Sequence, residues 1–200
     1  MTSSELTSSE PEPYDAVVLA GGGARRLNGA DKPGLLVGGR PLVGWVAAAV
    51  ADAGRLVLVG PGRPELPDAT LVREDPPGGG PVPALRAGLA RVRAPWSAVL
   101  AADLPFLRPG HVRELRRGAV GRSGAVLVDP DGRPQWLTGV WRTADLLDAL
   151  AGYPGASLRD LMGPLEPAHV RPPAGERPWH DCDTPSDVES AARLIEENSA

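Results

Sequence analysis

Apolar residues in this chain come in short continuous runs, separated by stretches where they recur every three to four positions. The run Tyr14 to Ala20, YDAVVLA, stops at three glycines, as a strand buried on both faces would. PLVGWVAAAVADAG then predicts a helix with Pro41 in its first turn and Gly54 as its C-cap. Further strands are predicted at RLVLV, TLV, WSAVLAAD, GAVLV and a short TGV. Further helices are predicted at PVPALRAGLARV, PGHVRELRRG, TADLLDALA and TPSDVESAARLIEEN. From Gly163 to Pro178 five prolines break any periodicity, and neither helix nor strand is predicted. Strands alternating with helices imply an α/β fold, a mainly parallel sheet with helices on both faces.

Residues 1–13 carry little to bury and read as a disordered tail, leaving 14–200 as one domain. No apolar run is long enough to span a membrane, and the first residues lack the basic flank and apolar core of a signal peptide, so a cytoplasmic protein is expected. The single cysteine, Cys182, agrees with a reducing compartment and reads as a small buried residue. A net charge of -4 with scattered arginines argues against a nucleic-acid surface.

Of 21 basic residues, Lys32 is the only lysine. It closes AGGGARRLNGADK, the segment that follows the first strand. In such a sheet ligands sit beyond the C-terminal strand ends. Three segments with suggestive chemistry fall there: this glycine loop, Asp103 after the SAVLAA strand, and DCDTP before the last helix. The loop fits neither the Walker pattern, since Lys32 precedes Pro33, nor the dinucleotide fingerprint, since Arg26 occupies the third glycine position. What remains is a turn whose backbone N–H groups can face an anion, followed by Arg25, Arg26 and Lys32. Either arginine could take a phosphate, with Arg25 preferred.

VLAGGGARRLNGADK resembles the LAGGxxxRMGxDK signature of the molybdenum cofactor guanylyltransferases, within a wider superfamily of sugar-phosphate and cytidylyl transferases. The resemblance continues in REDPPGGGPVPALRAGL, in LAADLPFL and in DCDTPSDV, so it covers most of Tyr14 to Asn198 in four matches in order. It implies a three-layer Rossmann-like nucleotidyltransferase fold. It also implies Mg²⁺-dependent transfer of GMP from GTP to a molybdopterin-type acceptor, with molybdoenzyme maturation proteins as further partners. Carried over, Leu19, Ala20, Gly21 and Gly22 would meet the nucleotide through their backbone, Lys32 its phosphates, and Asp75 the base or ribose. Asp103 would meet both nucleotide and metal; from the chemistry of the residues themselves, Asp183, with Asp181 as its competitor, is expected as the second metal ligand. The chain departs from the pattern at Leu27 and Asn28, at Ala84, and in lacking an asparagine in RLVLVGPG.

The chemistry is consistent with that residue set. Nucleotidyl transfer brings two anions together, and the protein's task is positioning and charge neutralisation. A hard Mg²⁺ takes oxygen ligands. Lysine supplies a compact point charge that fits between crowded phosphates, where arginine's planar fork needs a wider approach. A cytidylyl variant and a non-catalytic nucleotide-binding module remain the alternatives.

Overall fold

The computed structural model describes residues 12–21 and 31–197; the tail residues 1–11, Gly22, Arg25 and Arg26 therefore lie outside the described residues. Its main sheet is built from β1 (Tyr14–Leu19), β4 (Leu56–Val59), β5 (Thr70–Val72), β6 (Trp96–Ala101), β7 (Gly124–Val128), β8 (Pro134–Arg142) and β9 (Ala168–Val170). A small antiparallel hairpin, β2 (Leu36–Val37) with β3 (Arg40–Pro41), turns through Gly38 and Gly39, both at positive φ. The helices are α1 (Leu42–Ala49), α2 (Pro81–Leu89), α3 (Pro109–Gly118), α4 (Thr143–Leu150), α5 (Leu158–Met162) and α6 (Pro185–Glu197).

Strand order in the sheet is β5-β4-β1-β6-β8-β7-β9. β8 is antiparallel to both neighbours and the other pairings are parallel, so six strands end on one edge. The continuous apolar runs sort by the two-residue period of a strand. In β1, Ala16 and Val18 join the core beneath α1 and α3, while Val17 and Leu19 join the core beneath α2, α4 and α5. Helices on both faces of a mainly parallel sheet give the three-layer α/β arrangement expected. No helix among the described residues is long and apolar enough to cross a membrane.

The β2–β3 hairpin and α5 were not anticipated, and three further elements differ from expectation. α1 ends at Ala49, and Gly54 is not its C-cap: the Gly54 N–H donates to the Tyr14 carbonyl at 2.8 Å, so this residue already aligns the return strand. The short TGV strand is an inner part of the nine-residue β8, whose Pro134 start and Gly139 interruption hid its length. A Cβ at Gly139 would lie 2.8 Å from Trp141 Nε1, so the indole occupies that space, fully buried and stacked on Trp136 at 6.5 Å. The proline-rich stretch yields the short β9 (Ala168–Val170), hydrogen-bonded to β7.

Connections from β1 through α1 run to β4, on one side, whereas α2 leads to β6 on the other. The crevice between β1 and β6 is thus the topological switch point, where such sheets place their ligands. Register makes the edge level there: Leu19 pairs with Val59 and with Ala101. α2 approaches this part of the sheet through Gly88, whose added Cβ would overlap Val17 Cγ1 and lie 2.9 Å from Val59 Cγ2. Gly88→Ala is expected to destabilise the fold by about 1–3 kcal/mol, because strain against two stiff valines exceeds the gain in helix propensity. Urea unfolding measures this, and an unchanged or raised midpoint would contradict the close-packing argument.

Candidate active site

Lys32 begins a 3₁₀ turn, Lys32–Gly34, directly before the hairpin. Its side chain is largely buried, and its Nζ pairs with Asp103 Oδ2 and donates to Asp183 Oδ1 at 2.5 Å. Asp103 lies two residues beyond β6, flanked by the buried Ala102 and Leu104. The loop that follows is braced by Arg108, whose Nη1 donates to the carbonyls of Pro105 and Leu107 at 2.7 and 2.9 Å.

Asp183 arrives from the last segment. Thr184 and Asp187 form the helix cap of α6 between themselves: Asp187 Oδ2 accepts from the Thr184 N–H and hydroxyl, both at 2.7 Å, and the Asp187 N–H donates back at 3.2 Å. The Asp183 side chain, just ahead of this cap, reaches Lys32. Beneath it Cys182 is fully buried in a small core of Val37, Leu42, Ala191 and Ile195, which holds this segment against the hairpin. Burial pushes the Cys182 thiol up to about 12, as befits a packing residue.

Carboxylate oxygens of Asp103, Asp181 and Asp183 lie within 4.8 Å of one another. Burial opposes the Lys32 charge, but Asp103 and then Asp183 outweigh it and hold its pKa above that of an ordinary lysine. Asp181, at the exposed mouth of the cluster, is pushed up by desolvation and then by the charges of Asp183 and Asp103. Asp103 Oδ1 is buried with no hydrogen-bond partner. A buried, unpartnered carboxylate oxygen within a group of three acids is a ready position for a cation ligand.

The glycine loop starts beside this cluster. The Ala20 N–H is already given to the Val59 carbonyl at 2.8 Å, so a ligand meets this strand end through other backbone groups. Gly60, at φ +143°, passes so close that a Cβ there would lie 2.9 Å from the Ala20 carbonyl carbon and 3.1 Å from the Gly21 nitrogen. That backbone-to-backbone approach accounts for the absence of a larger side chain at this strand end. Ala84 is buried in the α2 core, so its methyl departs from the signature without entering the site. Asp75 is exposed and makes no hydrogen bond among the described residues.

Two side chains at the site went unnoticed in the sequence. Arg63, after β4, forms a two-pronged pair with Asp31, next to Lys32, and holds the Asp31 carboxyl below the usual carboxylate range. This pair lies over Gly34, where a Cβ would overlap Asp31 Oδ2. One arginine among twenty gave no signal. Glu74 is half-buried against Gly21, its oxygens 3.4 and 3.6 Å from where a Cβ of Gly21 would sit. It stands beside Asp75, which drew attention first.

Residues 16–170 match the MobA-like NTP transferase domain. The chain belongs to that family. A probable molybdenum cofactor guanylyltransferase of Mycobacterium tuberculosis is 37% identical over 153 residues, covering 70% of this chain and 74% of the relative. Molybdopterin-guanine dinucleotide biosynthesis protein A from Archaeoglobus fulgidus superposes with a TM-score of 0.67 at 19% identity, covering 92% of this chain and 99% of the other. The 2-C-methyl-D-erythritol 4-phosphate cytidylyltransferase from Thermus thermophilus superposes with a TM-score of 0.68 at 21% identity, covering 90% and 98%. The protein is a nucleotidyltransferase, as a MobA-like chain carrying Lys32 and Asp103 at the switch point should be. Near-equal likeness to a guanine-dinucleotide and a cytidylyl protein shows that the backbone alone does not choose the base.

Lys32 serves two carboxylates from a slim stem, and a planar guanidinium would satisfy one of them at the expense of the other. Lys32→Arg is therefore expected to lower kcat/KM for pyrophosphate release by about two orders of magnitude. Near-normal kinetics in that variant would reduce Lys32 to a generic positive charge.

Proposed function

We propose that this MobA-like nucleotidyltransferase transfers GMP from GTP to the phosphate of a molybdopterin-type acceptor and releases pyrophosphate. The observation that carries the reading is the meeting of Lys32, Asp103, Asp181 and Asp183 at the switch point, one strand end from the glycine loop. The relatives named as guanylyltransferases supply the choice of acceptor and base.

In this reaction an acceptor phosphate oxygen attacks the α-phosphorus of GTP in line. A new P–O bond forms as the bond to the bridging oxygen breaks, and pyrophosphate carries away the electron pair. Backbone N–H groups of the glycine loop receive phosphate oxygens, with Arg25 as their nearest side-chain support in sequence. Lys32, held charged by its two carboxylates, turns its remaining donor capacity toward the phosphates. No covalent nucleophile is required, in keeping with the protonated, buried Cys182.

The all-oxygen donor set, with the unpartnered Asp103 Oδ1, fits Mg²⁺. Asp103 would hold the ion together with Asp183 or Asp181. When bound, Mg²⁺ neutralises charge on the triphosphate and the leaving pyrophosphate.

Space for an acceptor exists on the same edge of the sheet. A cleft of about 370 Å³ opens beyond the ends of β7 and β9, lined by Asp129, Arg171, Glu176, Arg177 and Trp179. Its volume falls within the range of small-molecule sites. Trp179 offers an aromatic face and the arginines suit an anionic group, and two residues further the chain reaches Asp181. A substrate of this kind, with GTP, belongs in the cytosol.

Pyrophosphate release with each of the four nucleoside triphosphates, with and without molybdopterin, tests the proposal. Turnover is expected only with acceptor present, with GTP preferred to CTP by at least about 10². Comparable kcat/KM for the two would leave nucleotidyl transfer standing and remove the guanylyl assignment. Asp103→Asn keeps the shape and removes the charge, so turnover should fall by on the order of 10³ or more with the fold intact. Wild-type-like turnover would take Asp103 out of the site.

A further inference from the structure

Glu74 is a carboxylate that the phosphates of a nucleotide cannot use. It lies two residues beyond Val72 in β5, a residue packed against the α2 core, and the two-residue period of extended chain turns it to that same side. Asp75 is left facing out. The half-buried Glu74 side chain comes to rest against Gly21, and its Oε1 accepts the Gly78 N–H at 3.1 Å. Oε2 accepts no hydrogen bond and the carboxylate forms no ion pair among the described residues. Since a carboxylate oxygen has two acceptor positions, both oxygens keep capacity for further donors.

A partly desolvated acceptor with spare capacity among the described residues, at the start of a nucleotide-binding loop, calls for a neutral donor on the ligand. Phosphate is excluded by charge. Among the bases, guanine alone presents two adjacent donors, N1–H and the exocyclic N2–H, at the spacing of a carboxylate. Adenine shows an acceptor at N1 and cytosine one at N3, and either would face Glu74 with like polarity. The missing Cβ at Gly21 and the close pass of Gly60 leave the strand end low enough for a base edge to approach. We propose that Glu74 is the specificity-determining residue of this enzyme, accepting hydrogen bonds from the N1–H and N2–H edge of guanine. The assignment rests on the GTP reading above and names the side chain that enforces it.

Equilibrium binding to the full chain, read by calorimetry, separates this role from catalysis. The probes are GTP, inosine triphosphate (which lacks the 2-amino group), 2′-deoxy-GTP, ATP and CTP, tested against wild type, Glu74→Gln and Glu74→Ala. Glutamine keeps an oxygen for Gly78 and places an amide donor against guanine's donors. GTP affinity should fall about 10- to 100-fold in both variants, while ATP and CTP bind as before and report an intact site. The preference of wild type for GTP over inosine triphosphate should vanish with it.

A wild type that selects guanine together with Glu74 variants that still do so overturns this inference alone. An equal loss for GTP and ATP that disappears with 2′-deoxy-GTP assigns Glu74 to the ribose and also overturns it. A wild type that binds GTP, ATP and CTP alike overturns the guanine reading and this inference with it.

Discussion

Lys32 holds one ammonium between the carboxylates of Asp103 and Asp183, and the three side chains come from segments far apart in the chain. Three acids gathered within 4.8 Å repel one another, so the cluster depends on the cation at its centre and on a scaffold that resists spreading. That scaffold is specific. The β1–β6 crevice fixes Asp103, the hairpin and its 3₁₀ turn fix Lys32, and the small core around Cys182 fixes Asp183 against both. Loosening any of the three would separate the charges.

The arrangement also accounts for the residue types. Thr184 and Asp187 exchange the side-chain bonds that cap α6, and the carboxylate of the preceding Asp183 pairs with Lys32. Leu104 and Leu107 anchor both ends of the loop after Asp103 in the core, so a single carboxylate is presented from otherwise apolar sequence. Lysine at position 32, in a chain that uses arginine everywhere else, matches a position that must serve two carboxylates from one atom.

Much of this was legible in the sequence, and the exceptions share a cause. Continuous apolar runs announced the central strands, because a strand buried on both faces leaves no polar positions to confuse the pattern. β8 was cut short, since its glycine and proline serve indole packing and strand entry rather than a turn. Gly54 read as a helix cap because its partner, the Tyr14 carbonyl, is distant in sequence. Lys32, Asp103 and Asp183 stood out by rarity, by position after a strand, and by the signature around them. Arg63 and Glu74 could not, because their contacts come from partners brought up by tertiary packing: Asp31 for one, Gly21 for the other. Asp75 was named by resemblance, and the structure leaves it exposed beside the half-buried Glu74.

The claim that Lys32 and the acid cluster act as one unit is tested most directly by a double-mutant cycle on kcat/KM, using Lys32→Met, Asp183→Asn and the pair. Residues that work as a unit are strongly non-additive. The double variant is predicted to lose little more than the worse single variant, because either change alone already dismantles the junction. Losses that multiply would show that the two side chains contribute independently, and the account of a shared centre would be wrong.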